Sequence, residues 1–380
     1  MEGSNSQSTN YCINFQNVQE AAKRIQNLAH ETPILTSSSI DSLLQCENKE
    51  MKLFFKVEAL QKTGSFKFRG ALNATKALQE SVLADETTTN SSIHVVTHSS
   101  GNHAQALALS ARMGSLSSTN NIHNSSQIQA TIVMPRSAPT IKQNAVRSYG
   151  AKVILCDNTN EARKQKTSQI MQEYRSHFPS TKTAFIHPSE DPLVIAGQGT
   201  VSLEMISQVS KMTNNIASLD IVVIPVGGGG LASGNTITLR ALLGPKVKII
   251  LAEPETLNDA KRSKESGQLL LHDPQNPLQS VADGLKTTLG PNTWPIVRDL
   301  VDDIITVSEL DILKATKLIW ERLKIGIEPS AGVGVAVVLG DEFAEKYGKL
   351  QSHNNNVGVI LCGGNVDFIK VTKLMQEMDL

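Results

Sequence analysis

Residues 220–234 read DIVVIPVGGGGLASG, and this stretch decides the fold. After Asp220 the residues are apolar and mostly β-branched, as in strands that are buried on both faces of a parallel sheet. Four consecutive glycines and the helix-like NTITLRALL follow. In such a turn, side-chain-free backbone N–H groups and a helix N-terminus converge on an anion. The stretch therefore predicts an α/β fold with a phosphate-binding loop at the end of a strand.

The same alternation of strands and helices continues on both sides of this stretch. Further buried strands are predicted at IHVVTH, ATIVMP, AKVILC, VKIILAEP and NVGVILCGG, and helices at VQEAAKRIQNLAHE, HAQALALSARMG, AVRSYGA, GTVSLEMISQVSKM and ILKATKLIWERLK. Three polar segments, DETTTNSS, SLSSTNNIHNSS and SHNNN, are predicted to be surface loops. Because 380 residues are too many for one simple core, two lobes are expected.

The composition excludes several classes of partner. Lysine plus arginine equals aspartate plus glutamate at 36 residues each, so no net field draws the chain to nucleic acid or to an anionic membrane. The four cysteines have no CxxC spacing, which argues against a zinc site and a disulfide framework. The N-terminus MEGSNSQSTNYC lacks a signal-peptide pattern, and no run of about 18 apolar residues occurs. A small-molecule partner and a cytoplasmic location are therefore expected.

The glycine loop alone leaves two ligand classes open. Besides a phosphate group, it fits a dinucleotide fingerprint in which Gly227, Gly229 and Ala232 are the small positions and Glu253 binds the ribose. That alternative predicts an NAD-dependent dehydrogenase. A Walker A loop is excluded because no Lys-Ser or Lys-Thr pair follows the glycines. A turn without a ligand is a weak alternative, since four glycines in a row are costly in conformational entropy.

Three more turns have the composition of a ligand site. THSSGNHA follows one predicted strand, LCGGNVD follows the last one, and QKTGSFKFRG leads into a helix-like run. Ligands of open α/β sheets bind outside the carboxyl ends of the strands, so these turns can line one crevice. In QKTGSFKFRG, Lys67 lies between two phenylalanines. A lysine amine near a phosphate loop suits a Schiff base with an aldehyde cofactor that carries its own phosphate, and pyridoxal phosphate is that cofactor.

Motifs along nearly the whole chain resemble those of one enzyme family. They are TPILTSSS, QKTGSFKFRGALNA, SSGNHAQALALSA, AGQGT, PVGGGGLASG, AEP, ADGLK, NTWPIVRDLVDDI, IEPSAGVGVAVVL and GGNVD. Together they resemble the serine racemase and serine/threonine dehydratase family of the fold-type II pyridoxal-phosphate enzymes. The resemblance implies a tryptophan synthase β-like fold with two open, mostly parallel sheets flanked by helices. It also implies a large domain, 1–93 and 191–380, with a small mobile domain, 94–190, inserted in it.

The resemblance also implies roles for individual residues. Lys67 would bind the cofactor as an imine and act as a base on one face of the external aldimine, and Ser100 would act on the other face. The residues implied in cofactor binding are Phe66, Lys67, Asn102, Gly227, Gly228, Gly229, Gly230, Leu231 and Cys362. The residues implied in binding the substrate carboxylate are Ser99, Ser100, Asn102 and His103. Cys362 and Ser189 depart from the serine and asparagine that are usual in relatives.

The activity implied by the resemblance is interconversion of L-serine and D-serine, with β-elimination of serine to pyruvate and ammonia as a second outcome. Inversion needs proton transfer on both faces of the α-carbon, which one lysine cannot provide. In the family, the position of Ser100 is a serine in racemases and commonly an alanine in dehydratases. A dehydratase for serine, threonine or 3-hydroxyaspartate with little racemisation stays open, because Cys362 leaves the ratio of the two reactions undecided.

Two further ligands and a protein partner are implied by the resemblance. Glu253, Asp259 and the backbone carbonyl of Leu257 match a divalent-cation site, and hard oxygen donors of this kind suit Mg²⁺, Ca²⁺ or Mn²⁺. The positions that match an activating ATP site are Ser37, Ser38, Ser39, Lys62, Thr63, Gln105, Lys324 and Asn365. In the family that site lies at a dimer interface, so a homodimer is expected.

Overall fold

The computed structural model describes residues 11–47, 50–84, 92–117, 127–215, 219–272, 279–349 and 355–380. The predicted loops DETTTNSS, SLSSTNNIHNSS and SHNNN lie mostly outside these described residues. The strands are β1 Ile34–Leu35, β2 Lys52–Val57, β3 Ile93–His98, β4 Ile128–Pro135, β5 Lys152–Cys156, β6 Lys182–Phe185, β7 Ile221–Pro225, β8 Lys248–Pro254, β9 Asp303–Val307 and β10 Asn356–Leu361. The helices are α1 Phe15–Ile25, α2 Ser38–Asp41, α3 Lys67–Leu83, α4 Asn102–Ser117, α5 Thr140–Ser148, α6 Asn160–His177, α7 Pro192–Thr213, α8 Gly230–Leu243, α9 Asp259–Ser266, α10 Trp294–Leu300, α11 Glu309–Arg322, α12 Pro329–Leu339, α13 Asp341–Tyr347 and α14 Phe368–Glu377.

The strands form two sheets, and the expectation of an α/β fold with two mostly parallel sheets is confirmed. The larger sheet has six strands in the order β1-β2-β10-β7-β8-β9, and the smaller has four in the order β5-β4-β3-β6. β1 pairs with β2 in the antiparallel sense, whereas the other pairs are parallel. The smaller sheet is drawn from residues 93–185. The domain boundaries at 94 and 190 stay a prediction.

The glycine stretch forms the strand, turn and helix that its sequence predicts. β7 is buried along its whole length and lies between β10 and β8 in the larger sheet. The chain turns at Gly229, whose φ of 78° is in the left-handed region, and α8 begins at the next residue. The loop is therefore at the carboxyl end of a central strand, where open α/β sheets bind their ligands.

The turn that carries Lys67 is joined by its backbone to the end of β10. The backbone N–H of Phe66 donates to the carbonyl of Cys362 at 3.1 Å. Ser65 and Gly363 form an isolated antiparallel bridge. Lys67 follows as the first residue of α3. The lysine turn and the LCGGNVD turn, almost 300 residues apart in sequence, thus form one wall.

A buried group of charged side chains, which we call the Arg69 cluster, anchors the start of α3. The guanidinium of Arg69 donates to both carboxylate oxygens of Glu58 at 2.8 Å and to those of Glu204 at 2.6 and 2.7 Å. Lys56 donates to Glu204 at 2.9 Å. The side chains of Arg69, Glu58 and Lys56 are completely buried, and that of Glu204 is 25% exposed. Two cations thus balance two carboxylates inside the protein, two residues beyond Lys67.

Candidate active site

Lys67 has the environment of a reactive amine. Its Nζ donates a hydrogen bond to the carbonyl of Pro188 at 2.8 Å and lies 5.0 Å from the centre of the Phe66 ring. Desolvation lowers the pKa of Lys67 to about 8, although the nearby carboxylate of Glu328 opposes part of that shift. A lysine with this pKa has a substantial neutral fraction near physiological pH, and only the neutral amine attacks an aldehyde.

The glycine loop, Gly227–Gly230, has no room for side chains. A Cβ atom on Gly228 would lie 2.5 Å from the hydroxyl oxygen of Ser189, and one on Gly229 would lie 2.6 Å from a methyl carbon of Leu289. Leu231, the second residue of α8, is buried in the core of the larger sheet. The loop therefore presents its backbone rather than side chains, and this arrangement fits the phosphate group of pyridoxal phosphate.

We expect Gly229→Ala to weaken cofactor binding by about tenfold or more, equivalent to about 1.4 kcal/mol. An alanine at φ 78° also destabilises the protein by about 1–2 kcal/mol, whatever the ligand. Gly267→Ala is the matched control, because Gly267 has φ 72° and nothing within 4 Å of a Cβ atom. Titration with pyridoxal phosphate and urea unfolding measure the two effects. Equal cofactor affinity in the two variants would contradict the phosphate role.

Segment 187–190 connects the lysine to the glycine loop. Its Pro188 carbonyl accepts the hydrogen bond from Lys67, and Ser189 packs against the loop. Nδ1 of His187 accepts the backbone N–H groups of Ser189 at 3.2 Å and Glu190 at 3.0 Å. Burial lowers the pKa of His187 to about 4, so the ring is neutral and Nδ1 can accept. The sequence singled out Ser189 only as a departure from relatives, and it gave no signal for His187.

The SSGN turn after β3 presents one hydroxyl that makes no hydrogen bond to the described residues. The Ser99 hydroxyl accepts the backbone N–H of Gly101 at 3.3 Å. The Ser100 hydroxyl makes no hydrogen bond within the described residues, so it does not cap α4 through its side chain. His103 is buried, with Nε2 3.3 Å from the Ile186 carbonyl and no partner for Nδ1 in the described ranges. Burial and the proximity of Lys67 lower the pKa of His103 to about 3, so its ring is neutral.

Asn102 lies at the centre of a chain of hydrogen bonds. Its Nδ2 donates to Oε1 of Glu328 at 2.9 Å, and its Oδ1 accepts from Nδ2 of Asn365 at 2.9 Å. The same Asn365 amide donates to the carbonyl of Thr63 at 2.7 Å. The chain joins a residue predicted to bind the cofactor to two residues predicted to bind ATP.

Glu328 is a member of the site that the sequence did not reveal. It precedes Pro329 at the start of α12, and its backbone N–H donates to the carbonyl of Gly363. Desolvation raises the pKa of Glu328 to about 7, while the hydrogen bond from Asn102 opposes the shift. In the sequence, Glu-Pro indicates only a helix start. Cys362, beside it, is buried, and burial raises the pKa of its thiol well above the usual value. The thiol is therefore neutral.

The other residues predicted to bind ATP lie on several different elements. They are Ser37, Ser38 and Ser39 at the start of α2, Lys62 in the lysine turn, Gln105 on α4, and Lys324 after α11. The Ser37 and Ser39 hydroxyls are 2.9 Å apart, and Lys324 donates to the Glu321 carbonyl at 2.6 Å. Within the described ranges, no hydrogen bond runs from these serines or Lys324 to Asn365.

The residues predicted to bind a cation form a buried acidic pair. Glu253 and Asp259 are each 2% exposed. Burial, and then the charge of Asp259, raises the pKa of Glu253 to about 8. Oδ2 of Asp259 is buried and has no hydrogen-bond partner among the described residues. Leu257 lies in the short turn between the two acids. Two buried carboxylates with an unpaired oxygen fit a divalent cation.

The surroundings of the acidic pair show which protein atoms are available to bind a cation, and they also test the dinucleotide alternative, in which Glu253 binds a ribose. In the part of the chain that the structure describes, no three His, Cys, Asp or Glu side chains are placed to hold a metal ion. The two carboxylates and the Leu257 carbonyl stay the predicted donors. The Glu253 carboxylate accepts the N–H groups of Ala260 at 2.9 Å and Lys261 at 3.0 Å. Both oxygens of Glu253 thus already accept from the backbone. This disfavours a ribose held by Glu253 alone, whereas a cation also has Oδ2 of Asp259, which has no partner among the described residues.

Comparisons with known proteins agree with this geometry. The sequence pattern of the family described as pyridoxal-phosphate dependent enzyme matches residues 25–363. The serine racemase of Mus musculus is 43% identical over 359 residues, which cover 94% of this chain and 93% of that protein. The solved structure of maize serine racemase has a TM-score of 0.79 and 36% identity, covering 97% of this chain and 98% of that one. A solved structure of the threonine deaminase of T.th. has a TM-score of 0.75 and 36% identity, covering 94% of this chain and 99% of that one.

Among the described helices, none is long and apolar enough to cross a membrane.

Proposed function

The chain belongs to the pyridoxal-phosphate dependent enzymes, and from that membership we propose that it interconverts L-serine and D-serine and also eliminates the hydroxyl group of serine to give pyruvate and ammonia. Its similarity to serine racemases over nearly the whole chain supports the substrate. The single observation that favours racemisation over elimination alone is the Ser100 hydroxyl, which makes no hydrogen bond within the described residues at the SSGN turn.

The proposed chemistry divides proton transfer between two side chains. Bound pyridoxal phosphate supplies an electron sink for the pair that remains when the α-proton leaves. Lys67 removes or returns that proton on one face, with its Nζ oriented by the Pro188 carbonyl. Ser100 does the same on the opposite face, so a proton taken from one side is replaced on the other. The neutral Cys362 thiol would offer the cofactor no negative charge, so the electron sink that the cofactor supplies would be moderate.

The rest of the machinery belongs to the same proposal. The backbone of the glycine loop would hold the cofactor phosphate, and Phe66 and Asn102 would contact its ring. Residues 94–190 close over the substrate carboxylate and exclude water. A divalent cation, Mg²⁺, Ca²⁺ or Mn²⁺, binds Glu253, Asp259 and the carbonyl of Leu257. ATP acts as an activator at the interface of a homodimer, as in the family that the chain resembles.

We expect Ser100→Ala to lose racemisation by about 10²–10⁴-fold while pyruvate formation from L-serine persists, because only inversion needs a second proton-transfer group. The measurement is one incubation with L-serine and magnesium-ATP, in which D-serine is followed by chiral separation and pyruvate in the same samples. Ser110→Ala is the matched control, since the Ser110 hydroxyl bonds only the Ala106 carbonyl within α4. Pyruvate alone from both the wild type and Ser100→Ala would favour the dehydratase alternative, which the similarity to threonine deaminase also supports.

A further inference from the structure

His272 lies outside every motif of the sequence but touches two parts of the candidate site. Its Nδ1 is 3.0 Å from Oδ1 of Asp259, the proposed cation ligand. Its Nε2 is 3.1 Å from the carbonyl oxygen of Lys286. The imidazole ring thus bridges the acidic pair and the ADGLK segment through both of its nitrogens.

The contact with His272 leaves Asp259 with one engaged and one free oxygen. Oδ1 is held by the imidazole, whereas Oδ2 is buried and has no partner among the described residues. Carboxylates that bind metals are commonly held in this way by a neighbouring side chain, and loss of that neighbour typically lowers metal affinity 10–100-fold. His272 is therefore placed to orient the Asp259 carboxylate rather than to bind the cation itself.

The ADGLK segment at the other end of the bridge forms a wall of the glycine loop. A Cβ atom on Gly227 would lie 2.9 Å from Cα of Leu285. One on Gly228 would lie 3.1 Å from Oγ1 of Thr287. Lys286, whose carbonyl contacts His272, is the residue between these two wall residues. A shift of the segment at Lys286 must therefore alter the packing of the loop that is proposed to bind phosphate.

We propose that His272 is a positioning residue that couples the cation site at Glu253 and Asp259 to the glycine loop, so that cation and cofactor strengthen each other's binding. A cation that fixes Asp259 also fixes His272 and, through the Lys286 carbonyl, the wall of the loop. The wall of the loop is then already ordered when the cofactor phosphate binds. The conformational entropy of ordering the wall is lost when the first ligand binds and not again when the second one does. This inference rests on the proposed function, because the cation and the cofactor are both ligands of that function.

The test measures the coupling in both directions. The full-length chain, freed of cofactor, is titrated with pyridoxal phosphate in the absence of divalent cations and with saturating MgCl₂. In the wild type we expect Mg²⁺ to tighten cofactor binding by about tenfold, within the usual range of coupling between sites. Calorimetric titration with MgCl₂ must give the same factor when cofactor is added, because coupling between binding equilibria is reciprocal. In His272→Ala we expect both factors to fall close to one.

Two further variants distinguish coupling from a merely structural effect. His177→Ala is the control, because His177 is exposed on α6 and, among the described residues, hydrogen-bonds the Glu173 carbonyl of its own helix. His272→Gln, which retains hydrogen-bonding groups of similar reach, should restore part of the coupling. Thermal unfolding of each variant reports general destabilisation separately, since that would not by itself cancel a ratio of affinities.

The outcomes separate this inference from the proposed function. Unchanged coupling in His272→Ala, or no coupling in the wild type, overturns the role of His272. Mg²⁺ binding that persists in Asp259→Asn overturns it as well, because the cation then lies elsewhere. A wild-type protein that gains no visible absorption band with pyridoxal phosphate, with or without MgCl₂, overturns the proposed function itself.

Discussion

Lys67→Ala is expected to lose both serine reactions by at least about 10²–10⁴-fold, together with the visible absorption band that the protein gains with pyridoxal phosphate. The expectation follows from the position of the amine, which the Pro188 carbonyl holds at 2.8 Å beside the turn that is joined to β10. Ser189, the next residue after Pro188, packs against Gly228 of the glycine loop. Among the described lysines, no other is shown to donate a hydrogen bond to the Pro188 carbonyl.

The pH dependence gives a second readout of the same amine. Because the pKa of Lys67 is lowered to about 8, the rate at which the visible band forms in cofactor-free wild type should rise with pH and level off above about pH 8. Lys67→Arg is the matched control, since it keeps a cation at the site but stays protonated and cannot attack the aldehyde. Stopped-flow absorbance measures the rate. A band that still forms in either variant would refute the assignment.

The largest effect on stability is expected from Arg69→Met. The substitution leaves the carboxylates of Glu58 and Glu204 in the protein interior without their principal cation, and breaking a buried ion pair in this way costs about 3–5 kcal/mol. Met fills a similar volume without charge, so packing is largely kept. Urea unfolding of the cofactor-loaded wild type and variant at neutral pH measures the difference in the free energy of unfolding. A loss below about 1 kcal/mol would contradict this account, since that is the range of exposed pairs.

Two further measurements test whether the loss of stability comes from the unpaired charges rather than from the changed shape of the side chain. Adding Glu58→Gln to Arg69→Met should recover part of the loss, because one unpaired carboxylate is removed. Burial alone would raise the pKa of Glu204, but the hydrogen bonds and charge of Arg69, and then those of Lys56, lower it overall. A carboxyl with a lowered folded pKa stabilises the protein above its unfolded pKa, and that contribution is lost as the pH falls through the folded pKa. The gap between wild type and Arg69→Met should therefore narrow on acidification.

The fold could be predicted where the sequence pattern is local. The strands that read as continuous apolar runs, among them β3, β7 and β10, form as expected, because burial on both faces leaves no room for polar residues. β2 was not predicted, since Lys56 interrupts its apolar run. Lys56 is nevertheless buried, because Glu204 supplies its counter-charge from 148 residues away. A single sequence does not reveal such a pairing.

The residues of the candidate site likewise fall into those that a local sequence pattern predicts and those that it does not. The glycine loop and Lys67 have a local signature, a turn of defined chemistry beside a strand or helix. Glu328 and His272 do not, because each belongs to the site only through contacts with distant parts of the chain. Glu328 meets Asn102 across 226 residues of sequence. His272 meets Lys286 across 14 residues, but no periodicity or turn chemistry relates the two.

The position of β10 in the larger sheet has a consequence for how the protein is made. This strand is the last in the chain, yet it lies between β2 and β7, and the lysine turn is paired to the residues that follow it. During synthesis from the N-terminus, β2 and β7 cannot be joined through β10 until residues 356–361 have been made. Lys67 and the glycine loop both precede residues 356–361 in the chain, so both are made before the strand that lies between β2 and β7.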